Sequence, residues 1–256
     1  MRLIGFLYGV ICYAAFVASS LYAVGFVGNL AVPKSVDTGP AGSLAEAVLV
    51  NMVLLGLFAA QHSVMARPAF KAWWTRIVPA ALERSTYVLI SSLLLGLLFW
   101  QWQAMPGVVW TVDSAIGRGG LSALFWLGWL IAIGSTFMLS HADLFGLRQV
   151  WLGLRNRHYT PVRFEACGLY RWVRHPIMLG YLIAFWATPH MTQGHLLFAA
   201  VMTGYILVGI FFEERDLATS YGDAFAQYRE DVPMIIPFTG RTLSGGGCAD
   251  EIEKHP

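Results

Sequence analysis

From Leu3 to Val32 the chain carries no charged residue, and Leu121–Leu139 is a second uncharged run. Stretches of this length match the roughly 20 apolar residues that span a bilayer's hydrocarbon core. They recur in a chain that is 57% hydrophobic and only 12% charged, where soluble domains run near a quarter charged, so about twice as much. A soluble helical protein with one large core is the competing architecture, and the block arrangement argues against it. The sequence therefore predicts an all-α, polytopic integral membrane protein of about five transmembrane helices. Lipid offers no partner to backbone amides, so each span must be helical.

The apolar runs place spans at about 3–28, 44–66, 86–104 and 121–140. A hydrophobic hairpin follows, from Ile177 to Thr188 and from Leu196 to Phe212, turning near Pro189-His190 and Gln193-Gly194. Its first arm is short, which leaves open whether it counts as one span or two. The first block is too long for a leader's apolar region and lacks a clear cleavage site, so it reads as a retained helix. We read residues 1–240 as a single membrane domain, with spans one to four in 1–146 and a polar-plus-hairpin region in 147–240. Ser244-Gly245-Gly246-Gly247 and the acidic residues after it make 241–256 a disordered tail.

Basic residues gather in two loops. One holds Arg67, Lys71, Arg76 and Arg84; the other holds Arg148, Arg155, Arg157, Arg163, Arg171 and Arg174. The loops at 29–43 and 105–120 hold only Lys34 and Arg118. The excess of Lys and Arg marks the cytoplasmic side, which puts loops 67–85 and 147–176 and both termini there. A net charge of +2 with no basic run gives no sign of nucleic acid. No metal is expected, and nothing here sets the oligomeric state.

Arg174-His175-Pro176 closes a polar loop and opens an apolar helix. Pro suits the first helical position, where its missing N–H would have no partner. The free amides of that turn favour an anion, and Arg174 adds a fixed charge with forked donors. The bland reading is a basic anchor at a helix start. Glu213-Glu214-Arg215-Asp216 leaves the next apolar arm. Adjacent carboxylates point about 100° apart on a helix, so one can face protein while the other faces water. Leu217, Tyr221, Phe225 and Tyr228 then share one face of an amphipathic helix that Pro233 stops.

In this order the segment Gly168–Pro237 resembles the isoprenylcysteine carboxyl methyltransferase-like superfamily: Gly168-Leu169-Tyr170, Arg174-His175-Pro176, Gly180, Glu213-Glu214-Arg215, Tyr221-Gly222, Tyr228, Val232-Pro233 and Pro237. Met178 and Phe225 depart from its tyrosine positions, although Tyr181 lies close by. Gln61-His62-Ser63-Val64-Met65-Ala66-Arg67-Pro68 resembles a motif of NnrU-type membrane proteins. Ser140-His141-Ala142-Asp143-Leu144-Phe145-Gly146-Leu147-Arg148-Gln149 resembles a segment of bacterial thiol methyltransferases. The resemblance implies S-adenosyl-L-methionine as cofactor, held by Gln149, Leu169, Tyr170, Arg174, His175, Pro176, Gly180, Tyr181, Glu213, Glu214 and Tyr228. It implies transfer to a small thiol, methanethiol foremost, at the cytoplasmic face of a bacterial inner membrane. A lipid or prenylcysteine carboxylate acceptor, or a non-catalytic NnrU-type protein, are the alternatives.

The chemistry itself asks for a thiolate. A thiol with a pKa of about 8.5 is mostly protonated at neutral pH, and a neutral His can take its proton. His62 and His141 end apolar spans and are the candidate bases; ionisable groups there default to function. Asp143 is the candidate to orient the base and Arg148 to stabilise the thiolate. The bland reading of His62 is a helix-end residue bonded to backbone. Residues two apart on a helix do not face each other, so either the backbone bends at His141–Asp143 or the two serve different partners.

Overall fold

The computed structural model describes residues 2–40, 42–160 and 166–239; the expected tail at 241–256 and Arg163 lie outside them. Nine α-helices are described: α1 (Arg2–Gly28), α2 (Leu44–Ala66), α3 (Pro68–Trp74), α4 (Ala80–Gln101), α5 (Ala115–Leu139), α6 (His141–Leu144), α7 (Leu147–Leu154), α8 (Pro176–Trp186) and α9 (Gln193–Asp231). Two short strands, β1 (Val108–Thr111) and β2 (His190–Thr192), pair antiparallel, and a 3₁₀ turn spans Gly168–Arg171. Helices α1, α2, α4, α5 and α9 are long and apolar enough to cross a membrane, by length and composition. This matches the all-α, five-span expectation. At about 1.5 Å per residue, the 11-residue α8 falls well short of a hydrocarbon core of about 30 Å.

Two spans start earlier than the charge-free runs suggested. Helix α4 begins at Ala80, ahead of Glu83 and Arg84, and α5 begins at Ala115, ahead of Arg118. Arg84 is accommodated because its Nε donates to the Leu144 carbonyl at 2.7 Å and its guanidinium lies over the Tyr87 ring. Charge at a helix end thus hid helical turns from a reading based on uncharged runs. The amphipathic segment expected after the last span starts on the same run of helix and is divided within itself. Helical backbone runs through Glu213 and Glu214 and is interrupted at Gly222, whose φ of 53° and ψ of −129° are not helical and suit a residue without a side chain; a second helical segment follows to Asp231.

The chain forms two compact units. The first comprises 1–114, 142–160 and 188–202. Within it α4 packs against α1 and α2. Phe26, Phe99, Trp102 and Phe198 meet in one aromatic cluster. Buried Asn51 of α2 donates to the Gln103 carbonyl at 2.8 Å and accepts from its amide at 2.9 Å. Trp102 Nε1 donates to the Val36 carbonyl at 2.9 Å. These bonds satisfy irregular backbone where α4 ends, as an apolar setting demands.

The second unit comprises 115–141, 161–187 and 203–256. Its frame is the α5–α8 pair. Gly128 and Ala132 of α5 face Gly180 and Ala184 of α8, a small-residue pattern on each helix that lets backbones approach. A Cβ built on Gly180 would sit 2.5 Å from Ala132 N and from Gly128 O. Trp129 and Tyr181 meet edge to face beside this contact.

Because that collision is with backbone, Gly180→Ala should cost about 1–3 kcal/mol, the usual penalty of overpacking. Gly204→Ala, where a Cβ would meet nothing within 4 Å, should be neutral or slightly stabilising, since Ala is the better helix former. Thermal unfolding of both purified variants in the same detergent checks the contrast.

Candidate active site

In the second unit, the segment before α8 and the end of α9 are sewn together. The Arg174 amide donates to the Pro233 carbonyl at 2.9 Å, and the His175 amide donates to the Met234 carbonyl at 3.1 Å. The Pro176 ring opens α8 at its first turn, with His175 at the N-cap. These backbone bonds deliver two polar side chains to the middle of α9.

Arg174 is the hub. Its Nε donates to Glu214 Oε1 at 2.8 Å, with both side chains nearly buried at 9% and 14% exposure. Its Nη1 donates to the carbonyls of Arg229 and Val232. Those carbonyls belong to the C-terminal end of α9, where helical acceptors lack partners and the dipole is negative. His175 Nε2 lies 3.1 Å from Glu214 Oε1, and its Nδ1 lies 3.6 Å from Glu213 Oε2. The imidazole therefore sits between two carboxylates. Glu214 is buried against the cluster and Glu213 is about half exposed.

Beneath them lies a small core of Ala166, Tyr170, Phe225, Tyr228 and Val232, with Leu139, Leu217 and Tyr221 packed on it. Tyr228 donates its hydroxyl proton to the Tyr170 carbonyl at 2.6 Å. Burial, then the nearby Glu213 charge, pushes the Tyr170 phenol well above its ordinary range, so it is a neutral donor. Leu169 and Gly168 rest on Met138 of α5: the Leu169 amide lies 3.3 Å from its sulfur, and a Cβ on Gly168 (φ 56°) would strike it. A cleft of about 480 Å³ is lined by Phe211, Glu214, Arg215, Ala218, Thr219 and Arg229. Its lining carries both charge signs, a hydroxyl and an aromatic ring, and its volume suits a ligand of nucleoside size.

His141 belongs to this unit. Ser140 adopts a φ of 109°, rare for a residue with a side chain, and breaks α5 from α6. The ring of His141 stacks on Phe137 at 4.2 Å and 5°, and its Nδ1 lies 2.8 Å from Thr136 Oγ1. Burial lowers the imidazole's pKa below its ordinary 6.5, which leaves the ring neutral at neutral pH.

The other sequence-derived candidates lie in the first unit. His62 Nδ1 is 3.2 Å from Ser91 Oγ, and its ring packs between Phe58 and Tyr87. Gln61 Oε1 accepts from the same serine. Asp143 is a clamp: Oδ1 accepts from Arg148 at 3.0 Å and from Gln149, and Oδ2 accepts from Tyr159 at 3.0 Å. Arg148 also donates to the Thr160 carbonyl and hydroxyl. Burial and the bond to Asp143 raise the Tyr159 pKa, so it stays a donor. Gln149 donates to Asp143 and keeps its Oε1 buried without a hydrogen-bond partner among the described residues.

The structure thus gathers Leu169, Tyr170, Arg174, His175, Pro176, Glu213, Glu214 and Tyr228 around one knot. Gly180 and Tyr181 engage α5, whereas Asp143, Arg148 and Gln149 engage one another. Sequence reasoning missed Thr136, Tyr159, Thr160 and the cleft residues Thr219 and Arg229. A hydroxyl five residues before His141 was the only available signal for Thr136.

The NnrU protein family matches residues 50–246. The methanethiol S-methyltransferase of Mycobacterium tuberculosis is 56% identical over 94% of this chain and 98% of its own length. Methanethiol S-methyltransferase 2 of Bradyrhizobium diazoefficiens is 56% identical over 92% of this chain and 91% of its own. Nurim of Rattus norvegicus is 30% identical over 68% of this chain and 70% of its own. No solved structure matches the chain. By the family match and by relatives spanning almost its full length, the chain belongs to the NnrU protein family, in the part of it that holds the methanethiol S-methyltransferases.

Proposed function

We propose that this protein transfers a methyl group from S-adenosyl-L-methionine to methanethiol, giving dimethyl sulfide, at the cytoplasmic face of a bacterial inner membrane. The observation that carries the reading is the Arg174–Glu214–His175 knot beside a mixed-charge cleft, in a chain 56% identical to proteins of that name. We read residues 1–240 as one methyltransferase domain.

The fit to the cofactor rests on chemistry. S-adenosyl-L-methionine presents a cationic sulfonium, an amino group, a carboxylate and ribose hydroxyls. Glu213 and Glu214 suit the hydroxyls or the amino group, Arg229 and Arg215 the carboxylate, and Tyr170 and Tyr228 supply a buried aromatic floor. Leu169 and Pro176 bound the same region. Arg174 holds Glu214 ionised and aimed, and His175 buttresses it from the second side. When bound, the cofactor supplies an activated methyl: the thiolate's electron pair forms the new S–C bond while the sulfonium's S–CH₃ bond breaks towards its own sulfur. With so good a leaving group, the chain's task is alignment and a deprotonated nucleophile.

His141 is the base in this account. It lies in the same compact unit as the knot, two residues from Leu139, which packs on the Tyr170–Tyr228 core. It takes the thiol proton, which balances the reaction as one proton released to solvent. His62 and the Asp143–Arg148–Gln149 group act as packing and loop clamps, given the partners they hold.

Assay of the purified protein with both substrates should give dimethyl sulfide in the headspace and S-adenosylhomocysteine in solution in equal amounts. Methylated lipid or a prenylcysteine ester, with no dimethyl sulfide, would overturn the thiol reading. Glu214→Gln keeps the shape of the side chain and should weaken cofactor binding by about 10-fold or more in calorimetry, as loss of a charged hydrogen-bond partner is worth about 1.5–3 kcal/mol.

The pH dependence has a definite sign. A ring held below 6.5 is already a base at neutral pH, so kcat/KM should fall only as pH drops through that lowered value. His141→Ala should lose that acid limb and run about 10²–10⁴-fold slower. Its deficit should shrink as pH approaches a thiol's own pKa, at or above about 8.5. A wild-type profile in the variant would remove His141 from the mechanism.

A further inference from the structure

The hydrogen bond at His141 fixes which of its nitrogens can act. Thr136 Oγ1 has two close neighbours, the Ile133 carbonyl at 2.6 Å and His141 Nδ1 at 2.8 Å. A hydroxyl owns one proton and two lone pairs. The carbonyl can only accept, so the threonine proton goes to it. Oγ1 then meets Nδ1 with a lone pair, and Nδ1 must carry the hydrogen. Were the threonine to donate to Nδ1 instead, two acceptor oxygens would face each other at 2.6 Å without a proton between them.

We propose that Thr136 is a positioning residue that holds His141 in the Nδ1–H tautomer, so that Nε2 is the nitrogen that accepts the thiol proton. The inference rests on the assignment of His141 as base and adds the residue that makes it competent. Two independent features fix the same geometry. The parallel stack on Phe137 sets the plane of the ring. The φ of 109° at Ser140 turns the chain so that the ring lies back over the last turn of α5, a strained backbone of the sort that persists where surroundings over-determine it. Thr136 itself is buried in α5, so its hydroxyl has little access to water as an alternative partner.

The ionisable groups of the knot are already engaged. Tyr228 is bonded to the Tyr170 carbonyl, and Arg174, His175, Glu213 and Glu214 pair among themselves. The charged side chains that follow His141 in sequence, Asp143 and Arg148, are paired with each other. The proton step balances simply: the S–H bond breaks, the proton joins Nε2, and the imidazolium bonded to Thr136 through Nδ1–H later returns a proton to water.

The test uses the full chain in detergent micelles. Nitrogen-15 spectra of histidine-labelled protein, with the His141 signals assigned by their loss in His141→Gln, report the tautomer with no substrate present. Wild type should show Nδ1 protonated and Nε2 bare, Thr136→Val should show a mixture, and Thr136→Ser should restore the wild-type pattern. In turnover, Thr136→Val should lower kcat by about 10–100-fold, the usual loss for a supporting hydrogen-bond partner, with cofactor affinity and the thiol's KM near wild type. The deficit should narrow with rising pH, and Thr136→Ser should recover the rate. An Nε2–H tautomer in wild type overturns the proposal even if Thr136→Val proves too unstable to assay. So does a Thr136→Val enzyme with normal kcat. If wild type carries Nδ1–H but makes no dimethyl sulfide, the functional reading fails while the positioning role of Thr136 stands.

Discussion

Backbone in hydrocarbon has nothing to bond to but itself, and that constraint shapes the polar features at the ends of this protein's long helices. It forces the long apolar stretches into helices. It also concentrates unsatisfied groups at the few places where helices end. Asn51 and Trp102 take up the irregular backbone near the end of α4. Arg84 takes up the Leu144 carbonyl. Arg174 does the same for Arg229 and Val232 at the end of α9. The candidate active site grows out of this last solution, because the guanidinium that closes α9 also holds Glu214.

That arrangement makes the site rigid and exacting. Both members of the Arg174–Glu214 pair are nearly buried, and stripping one partner from a buried ion pair costs about 3–5 kcal/mol, chiefly by stranding the other charge. The desolvation penalty of burying it is offset by further hydrogen bonds: two helix-end carbonyls on the arginine and His175 on the glutamate. A carboxylate so placed is preorganised, and preorganised charge is what a small cofactor can be bound and aligned by. His141 is held by a different device, one threonine hydroxyl and one aromatic face, which suits a group that must gain and lose a proton.

Much of this was legible in the sequence, for reasons that can be named. Uncharged runs located the five long helices, and an ordered string of Arg174, His175, Pro176, Glu213, Glu214 and Tyr228 located the knot. What escaped were features that depend on three-dimensional bookkeeping of hydrogen bonds. Glu83, Arg84 and Arg118 lie inside helices, yet they looked like loop residues because a charge ends an uncharged run whether or not the helix ends there. Gly222 interrupts the helical backbone within α9, a break that no count of apolar residues reveals inside an amphipathic stretch. Asp143 looked like a partner for His141 by proximity, whereas its oxygens bond Arg148, Gln149 and Tyr159. Thr136 was invisible because a threonine inside an apolar helix normally just bonds its own backbone, as this one also does.

The most direct test of the account is a structure of the full chain with S-adenosyl-L-methionine bound. The account predicts the cofactor against Glu214, Arg229 and the Tyr170–Tyr228 floor, with its sulfonium methyl presented to the space served by His141 Nε2. A cofactor held instead at Gln61 and His62, with the Arg174–Glu214 knot and its cleft left untouched, would contradict it.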